Sequence, residues 1–573
     1  MRNLRKKRGQ KLIRRFSRLS EQAFSSGEEH VKENFLSRLS HVGDVRLFVL
    51  EWALIVATLF LFALTQSFWF NDSYSVSGYV NGGTFTEATL GKVGSLNPLF
   101  ASTNSEKTLS KLLFSSLTAS DSSGHVGNVL ARSVSSPDGR VWTVTLRDNL
   151  KWSDGEPLTL DDVLFTASLI QDSAVSSNYS SNLSRVKVSR DGEKLVFELP
   201  AVYAEFASAL DFPILPEHVL KDVAPSALLE SSFSTSPVSS GAFMFNASQA
   251  VGSAGESIVY LSANPYFYRG VPKISSFVVH AYLSSDEILS ALNSGSVSAT
   301  SELLATDAKK ITNKNIYEKQ TAINSGIFLF MNNKSPVFRN RDVRKAVQSG
   351  LNLEEIRSLI GDELPLDYPI LKNQISLSSW PTLPEYNPDT AKSTVSSLEN
   401  KIVSLATINT GYFPALAEDI SAQLEELGFT VTKQLYDPGQ DFIVNVVAER
   451  NYDILLYEIE LGANPDLLVY YHSSQANRSG LNLSNYNSSV ADNYILTARE
   501  TADENLKNQN YEAFLKRWVD DAPAIGLYRA NLSYFFDRSL KVFSEDSSLI
   551  VPTDRFADVK YWAVEKARKN RTP

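Results

Sequence analysis

The longest hydrophobic run in the chain, LFVLEWALIVATLFLFALTQSFWF, occupies residues 47–70 and is free of charge from Trp52 to Leu64. About 20 apolar residues in a helix cross ~30 Å of hydrocarbon, so this pattern predicts one transmembrane helix. Glu51 sits near one end, within reach of headgroups, and Phe68, Trp69 and Phe70 resemble an aromatic belt at the other. Residues 71–80 are polar, with Ser and Gly, and predict a linker. Beyond them strand and helix signals alternate for nearly 500 residues, without an internal repeat or a second span. Val141–Leu146 and residues 195–199 alternate as strands. Thr159 followed by Asp162 forms a capping-box pattern ahead of the helix LDDVLFTASLI. Residues 401–408 predict a strand, and a helix from Pro414 carries Leu416, Ile420, Leu424 and Leu427 on one stripe and stops at Gly428. Residues 429–432 give the next strand, completing a β-α-β unit of a mostly parallel, helix-covered sheet. Residues 453–459 are a further strand. The Ser-rich pieces at 173–184 and 231–240 predict surface loops.

Charge changes the picture at the N-terminus. Residues 1–46 hold 12 Lys+Arg against 5 Asp+Glu, whereas the rest holds 43 against 59. A basic flank before an apolar span places the N-terminus in the cytoplasm and the acidic body outside. The 46 preceding residues are too many for a signal-peptide n-region, and Phe-Trp-Phe stands where small residues mark cleavage, so the helix reads as a retained anchor. The arm serves as a topology signal with affinity for anionic lipid; its stretch 22–39 suits a helix on the inner face. There is no cysteine among 573 residues, which excludes disulfides, thiolate chemistry, cysteine-ligated metals and lipidation of an N-terminal cysteine. Six histidines, widely spaced, and no Walker A, G-x-G-x-x-G, G-x-S-x-G or H-E-x-x-H string leave enzyme chemistry without support. The acidic body argues against nucleic acid.

Eight collinear motifs between residues 80 and 540 carry a resemblance. Gly82-Gly83-Thr84-Phe85 precedes Ser95-Leu96-Asn97-Pro98. Asp138-Gly139-Arg140-Val141-Trp142-Thr143 leads into Leu146-Arg147-Asp148-Asn149-Leu150-Lys151-Trp152-Ser153-Asp154-Gly155-Glu156-Pro157-Leu158-Thr159 and Asp162-Val163. Ser240-Gly241-Ala242-Phe243, Asn264-Pro265-Tyr266-Phe267-Tyr268-Arg269-Gly270 and Ala291-Leu292-Asn293-Ser294-Gly295 follow. Phe330-Met331-Asn332-Asn333 with Val343-Arg344-Lys345-Ala346-Val347, then Tyr386-Asn387-Pro388-Asp389, then Asn464-Pro465-Asp466 complete the series. In this order they resemble the bacterial extracellular solute-binding proteins of family 5, the dipeptide-, oligopeptide- and nickel-binding proteins of ABC importers. Val297-Ser298-Ala299, Ser349-Gly350-Leu351-Asn352 and Asn149 depart from the family pattern. The resemblance implies an α/β, two-lobed periplasmic-binding-protein-like clamp of type II with an additional domain, here preceded by one transmembrane helix. The lobes would close on a ligand about a hinge. The boundaries expected are a cytoplasmic arm (1–46), anchor (47–70), linker (71–80), first lobe (81–320, with the extra α/β domain at about 97–235), second lobe (321–520) and a return to the first lobe (521–573).

Candidate ligand contacts follow, each with a plainer alternative. Asp466, in Asn464-Pro465-Asp466 after an apolar strand and before Tyr470, is placed to accept a peptide ammonium; it is equally placed to cap the helix LLVYYH. The resemblance suggests an acidic residue near here has the ammonium role. Asn409, Tyr412 and Phe413 follow a strand where α/β sheets bind ligands, or simply start a helix. Glu458 and Glu460 share one strand face and line the cleft or face solvent. Asn332 and Arg344 match family positions, with Arg344 read as a structural salt bridge. Trp152 is a pocket contact or a packed aromatic beside the Asp154-Gly155 turn. The functional expectation is a membrane-tethered monomer, with its body extracellular or periplasmic. It would bind peptides and deliver them to ABC importer permease subunits, with no catalysis, cofactor, metal or nucleic acid. A ligand sensor, a carrier of another solute (an oligosaccharide or metal chelate) and a secreted hydrolase are the alternatives.

Overall fold

The computed structural model describes residues 46–76, 79–121, 125–183, 185–252, 255–360, 364–437, 440–543, 549–565 and 569–570. The basic arm and its segment 22–39 therefore lie outside the described residues, apart from Arg46. Two units are distinguished, with the division at Gly78/Tyr79 and again at Lys566/Ala567.

In the first unit, helix α1 (Arg46–Tyr74) contains the stretch Phe48–Ser67, which is long and apolar enough to cross a membrane and has no residue buried by protein. Leu54 and Phe60 each expose 66% of their surface. The helix runs four residues past the predicted end of the span, so the first part of the 71–80 linker is helical; Ser75–Val76 then pairs with Lys569–Asn570. Phe68, Trp69 and Phe70 lie within α1, and their side chains are outside the described set.

The second unit is built on one long mixed sheet. Its principal strands and helices in chain order are β1 (Thr84–Leu90), α2 (Asn104–Leu113), β2 (Ala131–Ser135), β3 (Val141–Leu146), α3 (Leu160–Gln171), β4 (Lys187–Asp191), β5 (Lys194–Glu198), β6 (Phe243–Val251), β7 (Glu256–Ala263), β8 (Ser276–Tyr282), α4 (Ser285–Ser294), β9 (Ala299–Thr300), β10 (Ile316–Met331), α5 (Arg341–Gly350), α6 (Pro388–Ser396), β11 (Ile402–Ile408), α7 (Phe413–Glu426), β12 (Thr430–Tyr436), β13 (Ile454–Glu460), α8 (Leu468–Tyr471), α9 (Ser489–Glu500), α10 (Glu504–Asp521) and β14 (Ala524–Asp537). The long sheet runs β6-β7-β8-β1-β9-β14-β10-β13-β11-β12. A separate antiparallel sheet, β2-β3-β5-β4, belongs to the insertion between β1 and β6.

Strands β10 and β14 pair along almost their whole length, and they carry the chain from one half of the sheet to the other. Their early and late halves sit in different cores. Ile316 and Phe535 pack in the half that contains β1, while Ile327, Leu329 and Met331 face a core with α5 and α7. The alternate residues Phe328 and Phe330 face the opposite core, with α9 and α10. This period-two split covers the sheet with helices on both faces, as a buried strand requires. Between the halves the register breaks. Ala322 pairs with Asn531 and Gly326 with Arg529, leaving residues 323–325 as a bulge. Asn324 fills it, its backbone N–H reaching Leu549 and Ile550 and its carbonyl accepting from Leu461. Arg529 clamps it, Nε to the Ile323 carbonyl at 2.7 Å and Nη2 to Asn324 Oδ1 at 2.6 Å. The chain thus changes halves at 322–326 and returns near 529–531.

Local expectations can be compared element by element. The β11-α7-β12 unit forms with parallel strands, and Leu416, Ile420 and Leu424 are buried. Thr159 and Asp162 make the reciprocal capping box of α3. The Ser-rich loop 231–240 is not a surface loop throughout: Ser234, Ser239 and Ser240 are buried, and Ser240 Oγ accepts the Ser115 N–H at 3.0 Å.

Candidate functional site

Helix α2 is the natural starting point, because its sequence sorts by face. Leu109, Leu112 and Leu113 are buried, while Asn104, Lys107 and Lys111 recur at i, i+3 and i+7 on the other side. The helix start is held by Glu106, whose carboxylate accepts from the backbone N–H groups of Gly94, Ser95, Ser102 and Thr103 at 2.8–3.2 Å. The Leu-Asn-Pro loop and α2 are thereby locked together, and the polar stripe is fixed in space.

Each member of the stripe meets an acidic partner. Asn104 donates to Glu302 at 2.8 Å. Lys107 acts electrostatically on Glu458, which belongs to the other half of the sheet. Lys111 reaches Asp554 at 3.0 Å and also feels Asp211 and Tyr179. Burial by itself would pull the Lys111 ammonium down, but Asp554 and Asp211 outweigh it and hold it above its ordinary value. Tyr179 and Asp211 are both pushed up, first by burial. Asp211 nevertheless exposes surface. A carboxyl with exposed surface that is nonetheless desolvated has protein crowding it from several sides, as on a wall that faces the other lobe.

The opposite wall comes from the second lobe. Glu458 and Glu460 stand at the carboxyl end of β13, two residues apart on one face. Glu458 accepts from Ser325 Oγ and from Tyr412, and burial followed by the nearby Glu460 drives its carboxyl up. Tyr470 is raised first by burial and then by Glu460, and Glu460 also acts on Tyr179 across the gap. The Tyr412 ring lies tilted against Phe413 at 4.9 Å and meets Tyr528 edge-on at 5.7 Å.

At the rim the lobes touch directly. Glu205 accepts from Asn464 Nδ2 and from Lys507 Nζ, both at 3.0 Å. The Arg499 guanidinium lies 3.8 Å from the Tyr203 ring and 3.3 Å from Asp466.

The sequence-selected residues divide accordingly. Glu458, Tyr412 and Tyr470 come together on the second-lobe wall, with Asn464 and Asp466 at the rim. Asp466 also accepts the Leu468 N–H at 3.2 Å, a local turn bond just ahead of α8, whose N-cap position is Leu467. Asn409 is exposed at the end of β11, its backbone N–H bonded to Tyr436. Phe413 is buried in the second-lobe core. Asn332 is buried too, with Nδ2 donating to Tyr452 O and Arg450 O and Oδ1 accepting from Asn485 and Lys334; its polar atoms hold a loop junction. Trp152 is wholly enclosed in the first-lobe core, 6.3 Å from the His218 ring. Arg344 binds the carbonyls of Asp521, Phe338 and Arg339, rather than the carboxylate partner expected of it. Sequence reasoning missed Lys107, Lys111, Tyr179, Tyr203, Glu205, Asp211, Glu302, Arg499, Lys507 and Asp554. Only the α2 stripe left a local signal, in its spacing; the others converge from distant parts of the chain.

Comparison with known proteins matches this architecture. The profile of bacterial extracellular solute-binding proteins, family 5 (middle), fits residues 125–480. The oligopeptide-binding protein AppA of Bacillus subtilis is 26% identical over 517 residues, covering 83% of this chain and 92% of AppA. The structure of that protein in complex with a nonapeptide superposes with a TM-score of 0.74 at 23% identity, covering 85% of this chain and all of the other. NikZ of Campylobacter jejuni in complex with Ni(L-His) gives 0.71 at 21% identity, covering 84% and 99%. These neighbours are type II periplasmic-binding folds, and the two halves joined by β10 and β14 are the lobes of that clamp. By its sheet order, its paired lobe walls and the extent of the match, the chain belongs to the bacterial extracellular solute-binding proteins of family 5.

Proposed function

We propose that this protein captures peptides between its lobes, outside the cell and tethered to the membrane by α1, and delivers them unaltered to an ABC importer. The observation that carries the reading is the charge of the cleft walls. Among the described residues, Lys107 and Lys111 lie there, with Arg555 acting on Glu302 from behind, against the carboxylates of Glu302, Asp211, Asp554, Glu458 and Glu460. A ligand that brings an ammonium group relieves this excess, and the α-amine of a peptide does so. Glu458 and Glu460 are the acceptors proposed for it, as charge-assisted bonds in a desolvated site. Asp466 is then a rim residue, because Arg499 and the Leu468 N–H already engage its carboxylate. Lys107 remains for a carboxylate or carbonyl of the same ligand. Tyr412, Tyr470 and Tyr179 offer aromatic surface to side chains without selecting a sequence.

Closure supplies the mechanism. A ligand shifts the clamp only through better contacts in the closed form, so it must touch both walls. Bulge 322–326 and its partner 529–531 give the two strands a place to bend. The peptide complex of AppA supports the ligand class, and the apolar, unburied α1 supports the tether. Native mass spectrometry of the full chain in lipid nanodiscs tests the ligand. Co-purifying or added peptides of free N-terminus should bind, and N-acetylated versions should bind at least tenfold more weakly. Retention of only a sugar or a metal chelate, or cleavage of the bound peptide, would overturn the reading.

A further inference from the structure

We propose that Glu205 is a latch that holds the lobes closed from the rim, independently of the ligand. The residue lies in the insertion of the first lobe, just before the turn Phe206–Leu210, whose Phe206 and Leu210 are buried in the first-lobe core and fix its position. Its two carboxylate oxygens are divided between two second-lobe groups. Oε1 takes the Lys507 ammonium and Oε2 the Asn464 amide, both at 3.0 Å. Lys507 is mostly covered, its side chain 11% exposed, and it is further held by Glu504 at 3.2 Å. Two residues earlier in the same segment, Tyr203 stacks under Arg499, which is in turn held by Asp466.

The receiving surface is rigid. The Tyr511 hydroxyl of α10 donates to the Pro465 carbonyl at 2.7 Å, so the Asn-Pro-Asp loop and α10 move as one body with α9, which supplies Arg499. Three second-lobe side chains, Asn464 from a loop and Arg499 and Lys507 from two helices, therefore close on two residues of the first lobe. The Lys507 ammonium is largely covered while the Glu205 side chain is 31% exposed, and an amide shares the carboxylate, so the pair is better held than two fully exposed charges. The groups that make it are not the carboxylates of the cleft walls. The closed arrangement thus has its own contacts, and the ligand need supply only the remaining bias toward closure.

The test uses the full chain in nanodiscs and needs no ligand. Because the protein has no cysteine, Glu193→Cys in the first lobe and Glu425→Cys in the second, both exposed, can be spin-labelled without background. Pulsed dipolar spectroscopy should give a short inter-lobe distance as a major population. Adding Glu205→Ala or Lys507→Met should move most of it to longer distances, and the charge swap Glu205→Lys with Lys507→Glu should restore part of the short population. With any ligand the protein retains, Glu205→Ala should accelerate release at least fivefold. An unchanged ligand-free distance distribution in both single variants would overturn the latch. That result would leave the peptide assignment standing, and failure to bind peptide would leave the latch standing.

Discussion

Replacing Glu87 by Gln should be among the most damaging single changes in the first lobe. Glu87, in the middle of β1, is wholly buried and faces Arg555, whose side chain is 1% exposed. Nη2 and Nε of Arg555 reach Glu87 Oε1 at 2.6 and 3.2 Å, and the Tyr534 hydroxyl donates to Oε2 at 3.3 Å. The guanidinium also rests 4.1 Å from the Phe556 ring. One carboxylate therefore joins β1, β14 and the C-terminal segment Pro552–Tyr561. Glu87→Gln keeps the shape but strands a guanidinium with no counter-charge, at a cost of about 3–5 kcal/mol. For a lobe-sized cooperative unit this lowers the melting temperature by on the order of 10 °C. Replacing both residues, Glu87→Leu with Arg555→Met, removes the stranded charge, and should lose much less than the single change. Arg190→Ala is the control, because its pair with Asp161 at 2.6 Å is about half exposed and should matter by less than ~1 kcal/mol. Urea unfolding followed by fluorescence reports on this region through Trp562, which is buried 5.2 Å from Phe85. A Glu87→Gln loss no larger than that of Arg190→Ala, or a double variant as unstable as the single, would refute the reasoning.

Three further outcomes follow. Glu106→Gln leaves backbone donors of residues 94–103 poorly met and should cost about 1–3 kcal/mol, with faster amide exchange in that loop by mass spectrometry. Gly241→Ala would put a methyl 2.4 Å from Leu112 O and 2.6 Å from Leu113 C; with backbone on the receiving side, the protein should lose yield and melt markedly lower. Glu458 has its folded carboxyl raised, chiefly by burial, so its contribution to stability is fully present below the ordinary carboxylate range and is lost as pH rises through the raised value. Glu458→Gln should therefore match the parent in thermal melts near pH 4 and exceed it near pH 7; an equal difference at both pH values would remove the titration argument.

What the sequence made legible depended on whether the cause was local. The β11-α7-β12 unit was readable because Leu416, Ile420 and Leu424 make a stripe on one helix and Gly428, at φ +103°, ends it. The capping box of α3 was readable because Thr159 and Asp162 are three residues apart. The local bond of Asp466 to the Leu468 N–H lies within two residues, but its ion pair with Arg499 spans 33 residues and Glu205 to Lys507 spans 302, and no periodicity signals such distances. Asn332 and Trp152 were singled out because they stand in recognisable motifs. Both are buried, the one tying a loop junction with its polar atoms and the other filling the core, so motif strength here tracks the scaffold more than the ligand. The α2 stripe shows the converse. It belongs to no motif, yet its spacing of 3 and 4 with leucines on the far face marks a helix with one face to the core and one to something polar.

The cleft walls and the rim contact also answer why such a clamp should respond to a ligand at all. With the lobes closed and no ligand ammonium between them, Glu458, Asp211 and Glu302 are carboxyls raised first by burial, which disfavours their charged form. Closing an empty cleft therefore works against these groups, while the rim contacts of Glu205 and Tyr203 work for it. Neither set need dominate by much. A cationic group entering the cleft offsets the first term and leaves the second untouched, so the part of its interaction that needs both walls in place appears as a bias toward closure. The same balance sets the direction of the pH response. Protonated wall carboxyls make the empty closed form easier to reach but leave less charge for an ammonium to meet, so discrimination between ligand-bound and empty protein should widen as pH rises from 5 to 7.5. Inter-lobe distances measured with and without a free-amine peptide across that range would show it, and a gap that narrows would mean that the carboxylates of the walls are not what the ligand meets.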